Sequence, residues 1–206
     1  MYSTKIKKLK DITPGGIFEA FGRKYVVLDR NTYSVEGNPG VFCLDCGEVE
    51  TSRFNSLDAN VPNNYFRSEL FESVKKYLST LSERGNFLYE GIDAQLFEVS
   101  LNELDGSYGY APVQAIAAPL TLWQFGHYKH LLPKEVFEHP FWLVTPWARL
   151  SSLHDSDSVC YVRIDGTVYC YGVSKTLWCR PALLFNPEMR VIVTDETNEA
   201  TSAFKH

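Results

Sequence analysis

The chain has 206 residues, of which 45% are apolar and 22% charged, so a disordered polymer is excluded and one ordinary core can be buried. A net charge of -5 and a pI near 5.6 exclude the broad basic footprint of a duplex-binding protein. Five cysteines, an odd count, exclude a fully paired disulfide framework.

Residues 1 to 13 read as a polar lead-in closed by Pro14-Gly15-Gly16. Its Lys5, Lys7, Lys8 and Lys10 form the one basic cluster, read as a solvated arm and not as a nucleic-acid contact. No apolar run reaches the ~18 residues of a membrane span. The first residues lack the apolar stretch of a secretory leader, so the expectation is a chain made and folded in a cytoplasm.

Ile17 to Phe21 and Lys24 to Leu28 flank Gly22-Arg23 and predict a β-hairpin. The Asn38-Pro39-Gly40 turn leads to a short strand, Val41 to Leu44. Asn63 and Asn64 are placed to cap a helix. Phe66, Leu70, Val74, Tyr77 and Leu81 recur at helical spacing and predict a helix from Phe66 to Glu83, with Gly85 as its stop. Phe97 to Val99 reads as a strand, and Leu101 to Asp105 as one helical turn.

Thr121-Leu122-Trp123-Gln124 fits a capping box and predicts a short helix to about His130, with Pro133 just beyond. Phe141 to Val144 reads as a buried strand, followed by a polar loop, Arg149 to Asp157. Val159 to Ile164 and Thr167 to Tyr171 flank Asp165-Gly166, the strongest hairpin signal in the chain. Arg180 to Phe185 and Arg190 to Val193 are the last predicted strands. The fold class expected is α+β in a single compact unit over 1-206. It divides into an N-terminal β subregion (12-60), a helix (61-85) and a C-terminal β module (110-195).

Catalytic signatures are sparse. Cys43 and Cys46 form a C-x-x-C, but Cys160, Cys170 and Cys179 supply no matching pair for zinc, so ordinary strand-end cysteines are expected. His127, His130, His139 and His154 do not form an H-E-x-x-H and read as surface histidines. Ser151, Ser152, His154, Asp155 and Asp157 include the residue types of a catalytic triad, yet triad members converge from separate elements. Asp155 and Asp157 lack the full ligand series of a calcium loop. No G-x-S-x-G elbow and no phosphate-binding glycine loop occurs. No cofactor and no metal are expected, and the chain is read as non-enzymatic.

What remains is contact chemistry. Strand side chains alternate, so Tyr161, Arg163, Tyr169 and Tyr171 are placed to emerge on one face of the hairpin. Tyr and Arg give large contact areas with a polar tip. The competing reading is that the tyrosines simply cover the core.

An ordered series of residues then carries a resemblance. It runs through Asn63-Asn64-Tyr65, Leu104-Asp105-Gly106, Tyr128-Lys129-His130-Leu131-Leu132-Pro133, Trp142-Leu143-Val144-Thr145-Pro146-Trp147, Asp165-Gly166 and Arg180-Pro181-Ala182. The series resembles an uncharacterised domain-of-unknown-function family of Firmicutes and gut-phage proteins, over roughly residues 12 to 193. Two positions depart from it: Phe141 stands where a Trp is usual, and Trp178-Cys179 where Gly-Val is usual. The closing pattern is similar to that of C-type-lectin-like domains, including sulfatase-modifying factors and phage proteins diversified by retroelements.

The resemblance implies a C-type-lectin-like mixed sheet with one long helix, one short helix and an N-terminal β-hairpin unit. It places Ser151 to Ser158 and Tyr169 to Trp178 on a ligand-facing side. The expected function is non-catalytic, phage-type recognition of a protein or glycan, for display or receptor recognition. Asp155, Tyr161, Arg163, Tyr169, Tyr171 and Trp178 are the expected contacts, with Trp142 and Arg180 structural. Synthesis in a bacterial host cytoplasm, with association with virions, goes with that reading. The alternatives are a phage-encoded inhibitor of a bacterial defence complex, and a small metal- or thiol-dependent enzyme using Cys43 and Cys46 or the histidines.

Overall fold

The computed structural model describes residues 5–47, 49–84, 93–147 and 157–195. In chain order the strands are β1 (Lys5–Lys8), β2 (Ile17–Ala20), β3 (Arg23–Tyr33), β4 (Pro39–Asp45), β5 (Thr51–Arg53), β6 (Ala94–Gln95), β7 (Phe97–Leu101), β8 (Tyr110–Ala115), β9 (Ala117–Pro119), β10 (Phe141–Pro146), β11 (Ser158–Val162), β12 (Val168–Gly172), β13 (Thr176–Trp178), β14 (Pro181–Phe185) and β15 (Arg190–Asp195). Two α-helices, α1 (Glu69–Arg84) and α2 (Leu122–Tyr128), lie between them. The architecture is therefore mixed and mostly β.

One sheet runs β1–β15–β2–β3–β4–β14–β6, with β9 also paired to β14. A second runs β12–β11–β10–β13–β5 and is mixed, because β10 and β13 are parallel. β7 and β8 form a separate antiparallel pair. The region 12-60 and the region 110-195 share both large sheets: β14 pairs with β4, β15 with β2, and β13 with β5.

Local chemistry explains the elements. Phe21 and Gly22 both take positive φ (53° and 67°) and form the two-residue turn that matches strand twist, so the first hairpin turns one residue earlier than the expected Gly22-Arg23 and Arg23 begins β3. β10 and β14 are buried along their whole lengths, as apolar strands covered on both faces must be. The Thr121 side chain accepts from the Gln124 N–H while the Gln124 side chain accepts from the Thr121 N–H, so the capping box starts α2.

Several expectations need correction. The long helix begins at Glu69, not Phe66. Asn64 caps a single 3-10 turn over Tyr65–Arg67, and Ser68 Oγ then accepts from the Phe71 N–H to open α1. Phe66 is consequently exposed. Leu101 ends β7, and the residues after it make a turn closed by Gly106 N–H to Glu103 O, not a helical turn. The N-terminal lysines are not a free arm: β1 pairs with β15 from Lys5↔Val193 to Lys8↔Arg190. The short strands β1, β5, β6, β8, β9 and β13 add to those expected.

The core joins both sheets and α1. Trp142 is fully buried, edge to face with Phe54 at 5.6 Å, and its Nε1–H donates to Ser52 O at 3.0 Å. On the other face of β10, Phe141 packs edge to face with Phe125 of α2 at 6.2 Å.

Candidate functional site

The β11–β12 hairpin turns through three residues, Ile164-Asp165-Gly166, and not the two expected, so Ile164 lies in the loop and the register differs by one. Gly166 takes φ 74° and its N–H bonds to Arg163 O. Asp165 Oδ1 accepts from both the backbone N–H and the hydroxyl of Thr167, which holds its carboxyl below the usual carboxylate range. The register runs Val162↔Val168, Tyr161↔Tyr169, Cys160↔Cys170, Val159↔Tyr171 and Ser158↔Gly172. Tyr161, Tyr169 and Tyr171 therefore share one face, and Cys160 and Cys170 share the other.

On the tyrosine face the three rings are not equivalent. Tyr161 is only 7% exposed. Trp142 lies against it at 6.1 Å and Tyr169 at 6.2 Å, both edge to face. Lys175 places its ammonium 5.1 Å from the Tyr161 ring and 4.7 Å from the Tyr171 ring. Tyr169 and Tyr171 are the outer rings of this cluster, at 57% and 53% exposed. Tyr161 is thus a largely buried base for the other two. Arg163 is exposed at the end of the hairpin, and its N–H and C=O go to Thr167 and Gly166.

Trp178 does not join this face. Phe141 is in register with both Val162 and Trp178, so Trp178 shares the opposite side of the sheet from Trp142 and Tyr161. There it stacks on His139 with ring centroids 4.8 Å apart. Asp155, like most of the loop from 149 to 157, lies outside the described residues.

β12 is the last strand of its sheet, so its outer edge is unpaired among the described strands. Bonds at the two ends of the hairpin, Val173 N–H to Asp157 O and Arg163 N–H to Thr167 O, fix the antiparallel alternation. By that alternation the backbone groups of Tyr169 and Tyr171 pair with β11, and those of Val168 and Cys170 point outward. Alongside lies an open cleft of about 540 Å³, lined by Leu104, Leu122, Trp147, Val168, Tyr169 and Cys170. A roomier cleft of about 860 Å³ lies elsewhere, against Lys10, Arg30, Gln95 and Glu188. Lys10 and Glu188 pair with each other there, so we place the site at the hairpin, where rings, open backbone and a cleft converge.

Arg180 is buried. Its guanidinium donates to Cys46 O (3.0 Å), Gly47 O (2.9 Å) and Glu135 O (3.4 Å) and lies 5.7 Å from the Phe141 ring. The same loop is braced by Asp45, which lies between Cys43 and Cys46 and which no sequence motif singled out. Asp45 accepts from the Arg23 guanidinium, from Tyr77 OH at 2.8 Å and from the Gly47 N–H at 2.8 Å. Burial pushes its carboxyl up, and the Arg23 bond opposes that shift. Every partner of Asp45 is itself held in the fold, so the network ties β3, β4 and α1 together.

Burial pushes the thiols of Cys43, Cys46 and Cys179 up. Among the described residues no group of three or more His, Cys, Asp and Glu side chains is placed to hold a metal ion. Also among them, no helix is long and apolar enough to cross a membrane. No protein-family model, curated protein or solved structure matches the chain.

Proposed function

We propose that the protein is a non-catalytic binding protein whose contact surface is the β11–β12 hairpin. The observation that carries the reading is the pair of half-exposed rings, Tyr169 and Tyr171, on an edge strand with outward backbone groups. Rings alone would suit a glycan or a protein. The open edge at Val168 and Cys170 favours an extended segment of a partner protein, added as a further strand. Alternate side chains of that segment would lie over the two tyrosines and in the cleft beside Leu104, Leu122 and Trp147.

A C-type-lectin-like classification is the finer form of this fold that the sequence pattern supports, and phage-type display or receptor recognition is the setting it favours. The mixed sheet and the buried Trp142 and Arg180 accord with that classification.

The test is selection of a random linear-peptide library on the immobilised protein. Peptides that bind the wild type are expected to lose binding to a Tyr169→Ala/Tyr171→Ala variant. They should also lose it to Val168→Pro, which removes an outward N–H from an edge strand that tolerates proline. Circular dichroism of both variants should be unchanged. Selected peptides that bind the variants as well as the wild type would overturn the proposal, and so would glycan binding with no peptide selected.

A further inference from the structure

The face of the hairpin turned away from the tyrosines carries a second feature. Cys160 and Cys170 are directly opposite each other, with their Sγ atoms 2.7 Å apart. They occupy a pair without mutual backbone bonds. The hydrogen-bonded pairs are Asp157/Val173 at one end and Arg163/Thr167 at the other, and the alternation leaves Cys160/Cys170 between two bonded pairs. Such positions hold Cα atoms ~4.5 Å apart, inside the ~4.4–6.8 Å range that a disulfide bridges. Little backbone movement is needed for a bond.

The two thiols differ in access. Cys160 is fully buried, whereas Cys170 is partly exposed and lines the 540 Å³ cleft. The two thiols share one contact in which either sulfur can donate. Access from the cleft makes Cys170 the attacking group and leaves the buried Cys160 as the resolving one.

We propose that Cys160 and Cys170 form a thiol–disulfide exchange site that takes a low-molecular-weight disulfide of the glutathione class. The Cys170 thiolate attacks one sulfur of the small disulfide, breaking its S–S bond and releasing one thiolate. The mixed disulfide on Cys170 is then attacked by the Cys160 sulfur, whose proton leaves on the departing thiolate. The Cys160–Cys170 bond forms and the second small thiol is released. One small disulfide is reduced to two thiols, and the protein pair loses two electrons and two protons. This site stands whether or not the tyrosine face binds a peptide.

The test is incubation of the reduced wild type with glutathione disulfide, read by intact mass and by peptide mapping without reductant. The expected result is a loss of two hydrogen atoms and one cross-linked peptide pair containing Cys160 and Cys170. Cys160→Ser should stop at the mixed disulfide and gain one glutathione on Cys170. A cross-link between Cys43 and Cys46, a wild type that keeps glutathione on Cys170, or no reaction at either residue would each overturn the proposal. The wild-type measurement needs no variant to fold.

Discussion

Tyr161 and Tyr169 face each other across β11 and β12 with their rings 6.2 Å apart and edge to face, yet one is buried and the other half exposed. The difference is set by what lies beyond each ring. Tyr161 has Trp142 on its inner side and Lys175 above it, while Tyr169 has the open edge of the sheet. Tyr161→Ala should therefore cost about 3 kcal/mol of unfolding free energy. Tyr169→Ala should stay within about 0.5 kcal/mol. Urea unfolding of the two variants checks this, and equal costs would remove the division between base and display.

Trp142 tests how the second sheet is anchored. Trp142→Ala removes a fully buried ring and should cost about 3–5 kcal/mol. Trp142→Phe keeps most of the apolar volume but leaves Ser52 O without its Nε1–H donor, and should cost about 1–3 kcal/mol. The order of the two denaturation midpoints is the measurement. A Phe variant as unstable as the Ala variant would mean that the bond, not the packing, dominates.

Arg180 serves backbone carbonyls. Arg180→Met should leave the Cys46 and Gly47 carbonyls without their donor and cost about 2–4 kcal/mol. Arg180→Lys should not restore it, because a compact ammonium cannot reproduce the guanidinium fork that reaches both those carbonyls and Glu135 O. Thermal unfolding of the two variants decides; full rescue by Lys would contradict the geometry.

These residues show where sequence reasoning stops. The Thr121 capping box and the hairpin around Asp165-Gly166 are short-range chemistry; the first appears where its residues predict, and the second appears with one more loop residue than predicted. β1, β5 and β13 are only three or four residues long and exist because of partners far along the chain, so no local periodicity announces them. Alternation groups Tyr169 with Tyr171 on β12, but Tyr161 joins their face only through the three-residue loop, and the pattern does not tell which ring the rest of the fold covers. Trp178 falls on the other face because β13 pairs with β10 in the register Phe141↔Trp178, a long-range choice that no motif in the chain encodes. The Cys160–Cys170 pair was not legible in the sequence: a two-residue Asp165-Gly166 turn would put Cys160 opposite Tyr171, and it is the extra loop residue, Ile164, that brings Cys160 opposite Cys170.

Glu188 gives an acid-side prediction for the N-terminal strand. Hydrogen bonds from Lys10 and then Lys8 pull its carboxyl from the ordinary 4.5 down to about 2. A depressed folded value means that the contribution is present above the ordinary value and is lost as the pH falls from about 4.5 through about 2. All three groups are solvent-exposed, so salt should weaken the effect. Amide exchange across Lys5–Lys8 should rise, relative to the pH dependence of the free amide, as the solution is acidified through that window. Glu188→Gln should exchange fast throughout and show no added step.

Oxidation of the cross-strand pair should be visible in stability as well as in mass. A bond between Cys160 and Cys170 closes a loop of about ten residues, for which restriction of the unfolded chain contributes roughly 2–3 kcal/mol. For a chain of this size each kcal/mol moves the thermal midpoint by about 2–4 °C, so the oxidised form should melt roughly 5–10 °C above the reduced one. The bond joins strands already paired in register, so far-ultraviolet dichroism should not change. A Cys160→Ser/Cys170→Ser variant should melt at the same temperature with and without reductant. A midpoint that moves with reductant in this variant would assign the effect to Cys43, Cys46 or Cys179 and remove the hairpin pair from the account.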